Sequence, residues 1–355
     1  MAYASGYFKT SYGAELALVE TRLQWAALAA LGLGLGLFPL LASPFALDLA
    51  NQVLLAVIGA VALMLLTGYA GQISLGHAGL LAAGAFTTGI LAEEAGAPFW
   101  LTVPASGAVG AVLGLVFGLP SLRLKGLYLA VSTLALHFIV AFLGSEYETR
   151  HGFSTGILLD SPRLGPVVLD DARLWYGLLL AVAAAVFLFS RNLLRTRTGR
   201  AWIALRDRDV VAAALGIPVA AAKLSAFVVS SVLTALAGCL FAYYRGFVSI
   251  EAFSLFTTIE YVAMLIIGGL GSLLGAVLGA VFVVTFPYLI DLAVDLLPVP
   301  ARLSTYVFAV KYAAFGLIML LFLLLEPEGL LGIWRRVRDY FVLWPFRYRP
   351  LAGRS

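Results

Sequence analysis

Three polar side chains able to exchange hydrogen bonds with a small solute, Gln72, Ser74 and His77, fall within the stretch Thr67-Gly68-Tyr69-Ala70-Gly71-Gln72-Ile73-Ser74-Leu75-Gly76-His77-Ala78-Gly79. The stretch holds four glycines, carries no fixed charge and adjoins two apolar runs. Backbone that leaves the helix at membrane depth is tolerated only where it is buried in protein or faces a watery cavity. Gly71, Gln72, Ser74, Gly76 and His77 are therefore the candidate lining of a translocation path. Such a neutral, glycine-rich path suits a zwitterion with an apolar side chain, and it suits urea equally. The other reading is a tight cytoplasmic turn in which Gln72 and His77 cap helix ends.

Other chemistry is sparse. Glu260 and Lys311 lie one and two turns into apolar runs, so each should face the protein interior, an aqueous cavity or an interface. Lys311 can also snorkel outward, and a Glu260–Lys311 pair is a hypothesis. His137 reads as a hydrogen-bonded packing residue. No chain of carboxylates crosses the apolar runs, which weakens a proton-coupled mechanism. The GxxxxGK[ST] phosphate loop and the HExxH motif are missing, and no His/Cys/Asp cluster has metal-ligand spacing. The chain is expected to hold no cofactor and to be no enzyme: if ATP and Mg²⁺ drive transport, a partner ATPase binds them. The single cysteine, Cys239, leaves no intrachain disulfide.

The longest polar break is RNLLRTRTGRAWIALRDRDVVAAALGIPVAAAK at 191–223. It carries Arg191, Arg195, Arg197, Arg200, Arg206, Arg208 and Lys223 against Asp207 and Asp209. Within it, residues 209–215 favour a short helix, with an aspartate to cap the first turn, alanines through the middle, and Gly216 and Pro218 to end it. A helix that short needs a partner to lean on. Two readings stand: a docking element that protrudes into a soluble motor protein, or an ordinary positive-inside loop.

The elements that would position these groups follow from composition. The chain is 62% hydrophobic and 12% charged, with a mean hydropathy of +1.00, far from soluble usage. The expected class is an all-α, polytopic membrane bundle. With roughly 20 helical residues per crossing, about ten spans are laid out near 24–42, 46–67, 73–92, 98–119, 127–144, 175–190, 224–244, 257–270, 273–292 and 304–325. The eighth is short enough to be a half-crossing or a bend. The first apolar run lacks a small-residue cleavage pattern and reads as a retained span. With both termini cytoplasmic, 17 of the 23 basic residues face inward, which fixes the orientation. The formal charge of +4 belongs to those loops, so nucleic-acid binding is set aside. Residues 1–325 read as a transmembrane permease domain and 326–355 as a basic cytoplasmic tail. Gly110, Gly114 and Gly118, and again Gly271, Gly275 and Gly279, recur every four positions and offer flat faces for close helix packing. Glycine-rich breaks at 68–76 and 268–275 faintly suggest internal symmetry. The outer loop 145–174 either receives a delivery protein, gates the outer mouth or merely connects.

Several blocks together carry a family resemblance: LTGYAGQISLGHAGLLAAGAFTTGIL at 66–91, LRLKGLYLAVSTLAL at 122–136, HGFSTGI at 151–157, GRAWIALRDRDVVAAALGIPVAAAKLSAFVVSSVLTALAGCLFA at 199–242, IIGGLGSLLGAVLGA at 266–280 and EPEGLLG at 326–332. The chain resembles the M-type membrane subunit of bacterial branched-chain amino acid ABC importers, from about Leu47 to Gly332. The resemblance implies a multi-pass permease of the bacterial inner membrane. Its implied partners are a homologous H-type permease subunit, two cytoplasmic ATPase subunits carrying ATP and Mg²⁺, and a periplasmic substrate-binding protein. It also implies that the region of Arg206, Arg208, Asp209, Ala213, Leu215 and Gly216 is the loop touching the ATPase. The chain departs from the family pattern at residues 150–154, where more glycine and an asparagine are usual, and at residues 212–214, where alanines replace an acidic residue. Related permeases carry urea, small amides or amino acids, and a stand-alone secondary transporter is the competing class.

Overall fold

The computed structural model describes residues 22–122, 124, 126–152, 156–165, 167–296, 307–326 and 328–343. Its helices are α1 (Arg22–Leu41), α2 (Pro44–Leu63, continued by a π-turn over Met64–Tyr69), α3 (His77–Ala95), α4 (Phe99–Ser121), α5 (Leu127–His151) and α6 (Ala172–Arg195). They continue with α7 (Arg197–Ala214), α8 (Val219–Arg245), α9 (Leu255–Gly268), α10 (Leu273–Leu296), α11 (Val307–Leu325) and α12 (Gly329–Leu343). Among the described residues the strands are four two-residue pieces, and turns and short irregular segments join the helices. β1 (Ile157–Leu158) pairs antiparallel with β4 (Phe247–Val248), and β2 (Arg163–Leu164) with β3 (Val167–Val168).

Six helices among the described residues are long and apolar enough to cross a membrane: Pro44–Tyr69, Phe99–Pro120, Leu127–His151, Ala172–Arg195, Val219–Arg245 and Leu273–Leu292. They coincide with the second, fourth, fifth, sixth, seventh and ninth expected spans. The helix at the eighth position, α9, has 14 residues and is about 21 Å long, short of a hydrocarbon core of about 30 Å. The third expected span begins as a helix only at His77.

Local rules account for the ends. Ser43 caps α2, its hydroxyl accepting from the Ala46 amide, with Pro44 in the first turn. Asp171 caps α6 through the Arg173 amide. Gly152 closes α5 in the left-handed region, so residues 145–151, expected in the outer loop, are the last two turns of that helix.

Packing turns on α8, which contacts α2, α3, α4 and α7. The glycine face expected on the fourth span lies against it. A Cβ at Gly110 would stand 2.7 Å from the Ser231 carbonyl oxygen, and one at Gly114 would stand 2.9 Å from Ser231 Cβ. Between α3 and α8 the approach is closer still, since side chains at Gly84 and Gly238 would land on the Ala235 and Leu81 carbonyls. Hydroxyls stitch these contacts: Ser106 donates to Ala235 O at 2.9 Å, and Ser230 to Ala62 O at 2.7 Å. Helix association in lipid relies on small residues and polar bridges of this kind. The outer surface keeps apolar side chains such as Leu33, Leu41, Phe142 and Leu324 exposed.

Two expectations are corrected. The segment 191–223 is mostly helix rather than an open loop. Thr196 ends α6 and caps α7 through the Gly199 amide, and the Trp202, Leu205 and Ala212 positions bury one face of α7. Trp202 is fully buried and its indole donates to Ser225 Oγ at 3.1 Å. The short helix begins after a kink at Arg208 (φ −158°, ψ 103°). The second correction concerns Gly271. It lies ahead of α10 at φ +83°, so only Gly275 and Gly279 of that series pack α10 onto α9.

Candidate functional site

The break between α2 and α3 is built from its sequence in three steps. The π-turn ends α2, and Gly71 turns the chain at φ +67°, a conformation glycine adopts without cost. The chain then runs without regular structure to His77. Its polar groups are claimed by other parts of the molecule. Gln72 Nε2 donates to Lys223 O of α8 at 3.1 Å, Leu75 N to Thr133 Oγ1 of α5 at 2.9 Å, and Ala78 N to Thr258 Oγ1 of α9 at 3.0 Å. Gly76 N donates to Ser74 Oγ at 3.3 Å. Glycine is required at positions 76 and 79 because a Cβ would meet the Thr133 carbonyl or stand 2.7 Å from His137 Cα.

These contacts also give the depth. Gln72 is level with Lys223 near the start of α8, and His77 Nδ1 lies 3.4 Å from Thr234 Oγ1. Eleven residues of helix separate those two positions, roughly 16 Å at 1.5 Å each, and five residues of extended chain span about the same distance. The break therefore climbs from one end of α8 past its middle. Gln72, Ser74 and His77 are all buried, Gly71 and Ile73 are exposed, and neither Gln72 nor His77 caps the end of α2 or α3.

Polar capacity is left over. Thr234 donates its hydroxyl to Ser230 O at 2.8 Å, so the proton shared with His77 sits on Nδ1 and leaves Nε2 as an acceptor. That Nε2 is buried without a partner, as are Gln72 Oε1 and His137 Nδ1. His137, expected as a hydrogen-bonded packing residue, is buried and leaves that atom without a partner. Native proteins rarely leave such groups unmatched. The Tyr261 ring meets His77 edge-on at 4.5 Å between centroids, next to the half-buried Glu260. The side chain of Lys311 lies outside the described residues, as does any Glu260–Lys311 pair.

The second region is α7. Beyond the kink, Val210 (73% exposed), Val211 and Leu215 (76%) present an apolar surface, with Arg208, Ala213 and Gly216 exposed around them. Asp209 is partly buried. Arg206 differs from its neighbours: Nη1 donates to Gly68 O in the π-turn at 2.6 Å. Sequence reasoning missed Val210 and Val211, whose signal was two adjacent apolar residues in an otherwise polar and alanine-rich stretch. At the far end of α8, two adjoining clefts of about 310 and 300 Å³ share Leu159, Ser161 and Tyr243. Asp48 there accepts from Tyr244 OH and from Gln52 Nε2.

The family described as branched-chain amino acid transport system, permease component, matches residues 45–324. The chain belongs to this permease family. The match takes in both the break and α7, and it ends before α12. The high-affinity branched-chain amino acid transport system permease proteins LivM of Salmonella typhimurium and Escherichia coli are each 30% identical over 323 residues, covering 84% of this chain and 72% of theirs. A probable branched-chain amino acid transport permease protein LivM of Methanocaldococcus jannaschii is 28% identical over 237 residues, covering 65% of this chain and 67% of its own. No solved structure matches the chain. As a member of this permease family the chain is a multi-pass membrane protein.

Proposed function

We propose that this chain is the permease half of an ATP-driven importer that carries branched-chain or other small neutral amino acids into the cytoplasm. The observation that carries the reading is the buried, hydroxyl-clamped break at membrane depth, with unmatched acceptors on Gln72 and His77, in a chain of the branched-chain permease family. A zwitterion supplies an ammonium donor for such acceptors, and the flanking wall is apolar. On this reading about ten segments cross the bacterial inner membrane, with both termini and α7 inside.

A periplasmic binding protein delivers the solute to the outer clefts near Tyr243 and Tyr244. An H-type permease subunit completes the path. Two ATPase subunits, holding ATP and Mg²⁺, grip the surface of Val210, Val211 and Leu215, and their closure is passed to α6 and α8 on either side. Uptake of leucine, valine and urea into vesicles tests this, with the chain alone and with its partners added. Leucine or valine uptake that needs every partner and ATP supports it. Solute flux through the chain alone, or uptake of urea in preference, sinks it.

A further inference from the structure

Arg206 stands apart from the surface it was grouped with. The carbonyl it bonds, Gly68 O, is at the C-terminal end of α2, where helix geometry leaves acceptors without amides. The amide four residues on, Gln72 N, is already given to Leu66 O at 3.0 Å. A guanidinium at that position meets the negative end of the helix dipole. The same side chain fills a notch between the two glycine breaks. A Cβ at Gly71 would lie 3.1 Å from Arg206 Cα and 3.3 Å from its Cβ and Cγ, and a Cβ at Gly271 would land on Nη1. The breaks touch each other beneath it: Gly271 N donates to Met64 Sδ at 3.3 Å, and a Cβ on Gly68 would lie 3.0 Å from Gly271 N.

On the other side, Arg206 ends the half of α7 that Trp202 and Leu205 pin to the bundle. Two residues later the kink at Arg208 sets off the half that carries Val210 and Val211.

We propose that Arg206 is a brace, a positioning residue through which displacement of α7 reaches both chain breaks at once. This rests on the reading of α7 as the segment gripped by the ATPases. A shift of α7 must either carry Gly68 and Gly271 with it or break the charge-assisted bond, so the inner end of the α2–α3 break opens or closes in step with the motor. Both contacts fall at glycines whose left-handed backbone already favours glycine, and a side chain at 71 or 271 would in addition crowd the arginine.

The test uses the complete reconstituted transporter with its binding protein and three variants, Arg206→Met, Arg206→Lys and Val210→Asp. The readouts are retention of the ATPase subunits, ATP hydrolysis, and leucine taken up per ATP. Arg206→Met is expected to keep the ATPases and hydrolyse ATP near the parental rate while uptake per ATP falls roughly tenfold, the scale of one charge-assisted hydrogen bond. Arg206→Lys, whose ammonium still reaches a carbonyl, is expected to lie between the two. A parental ratio in Arg206→Met overturns the brace. So does loss of the ATPases in that variant, which would place Arg206 on the docking surface. Should Arg206→Met fail to yield a folded permease at all, Arg206→Lys decides, a lowered ratio supporting the brace and a parental one overturning it. Val210→Asp separates the two ideas: it is expected to lose the ATPases, and if it keeps them the docking reading falls and the brace with it.

Discussion

The two glycine-rich breaks, 68–76 and 268–275, look alike in sequence and are built in opposite ways. In the first, the glycines let the chain leave the helix, and the amides this frees are satisfied by hydroxyls from α5 and α9 and by Ser74. In the second, the glycines bring two helices into backbone contact: side chains at Gly268 and Gly279 would land on the Gly275 and Met264 carbonyls. The second turn also holds the start of α12, where a Cβ on Gly329 would lie 2.5 Å from Ile267 O. One break therefore keeps polar groups available at depth and the other closes them off. Only the first has the spare acceptors that a solute could use.

That contrast predicts different responses to substitution. The largest loss of stability is expected at the helix pair that the closed break brings together, where Gly279→Val must push α10 off the Met264 carbonyl, at a cost of about 3 kcal/mol or more. Thermal unfolding of the purified complex would show it, and a near-parental midpoint would mean the helices are not in backbone contact. At the open break, Thr133→Val removes the acceptor of the Leu75 amide while keeping side-chain shape, leaving a part-buried N–H unmatched at about 1–3 kcal/mol. The Gly76 carbonyl is unaffected, since it pairs with Leu80 N. A smaller effect, about 1 kcal/mol, is expected for Ser272→Ala, which removes the cap of α10 (Gly275 N to Ser272 Oγ, 3.3 Å). If Ser272→Ala costs more than Gly279→Val, the closed break depends on its cap more than on its glycines, and the contrast is wrong.

How much of this was legible in the chain itself depends on the range of the interactions. Hydropathy located the six long spanning helices, because each is a local apolar run. The four-residue glycine period on α4 marked a packing face, because that pattern repeats along one helix. The exposed end of α7 was marked by its own stop signals, Gly216 and Pro218. The first half of α7 was not recognised, although Trp202 and Leu205 have helical spacing, because its arginines pointed to a solvated loop. What no local pattern contains is the set of partners across the fold. Thr133 and Thr258 serve amides 58 and 180 residues away, and Arg206 reaches back 138 residues to Gly68. A repeat of glycines likewise says nothing of φ, so Gly271 read as a helix-face residue.

The smallest expected change in stability, and the most informative about the open break, is at Gln72. Its Nε2 makes one bond to Lys223 O, and its buried Oε1 makes none. Gln72→Leu keeps the volume and removes both atoms. The lost bond and the removed orphan acceptor nearly cancel, so unfolding should shift by no more than about 1 kcal/mol. The Lys223 carbonyl keeps its place within α8. If the spare acceptor serves a passing solute, uptake of leucine should fall with an unchanged melting midpoint, and the loss should be in KM as well as in rate, since a polar contact made during passage is gone. If Gln72 is only a clamp between the break and α8, the opposite follows: the midpoint drops while uptake per folded transporter stays parental. The two outcomes separate a path from a joint at a single side chain, which the closed break, lacking any buried unmatched side-chain acceptor among the described residues of 268–275, offers no way to do.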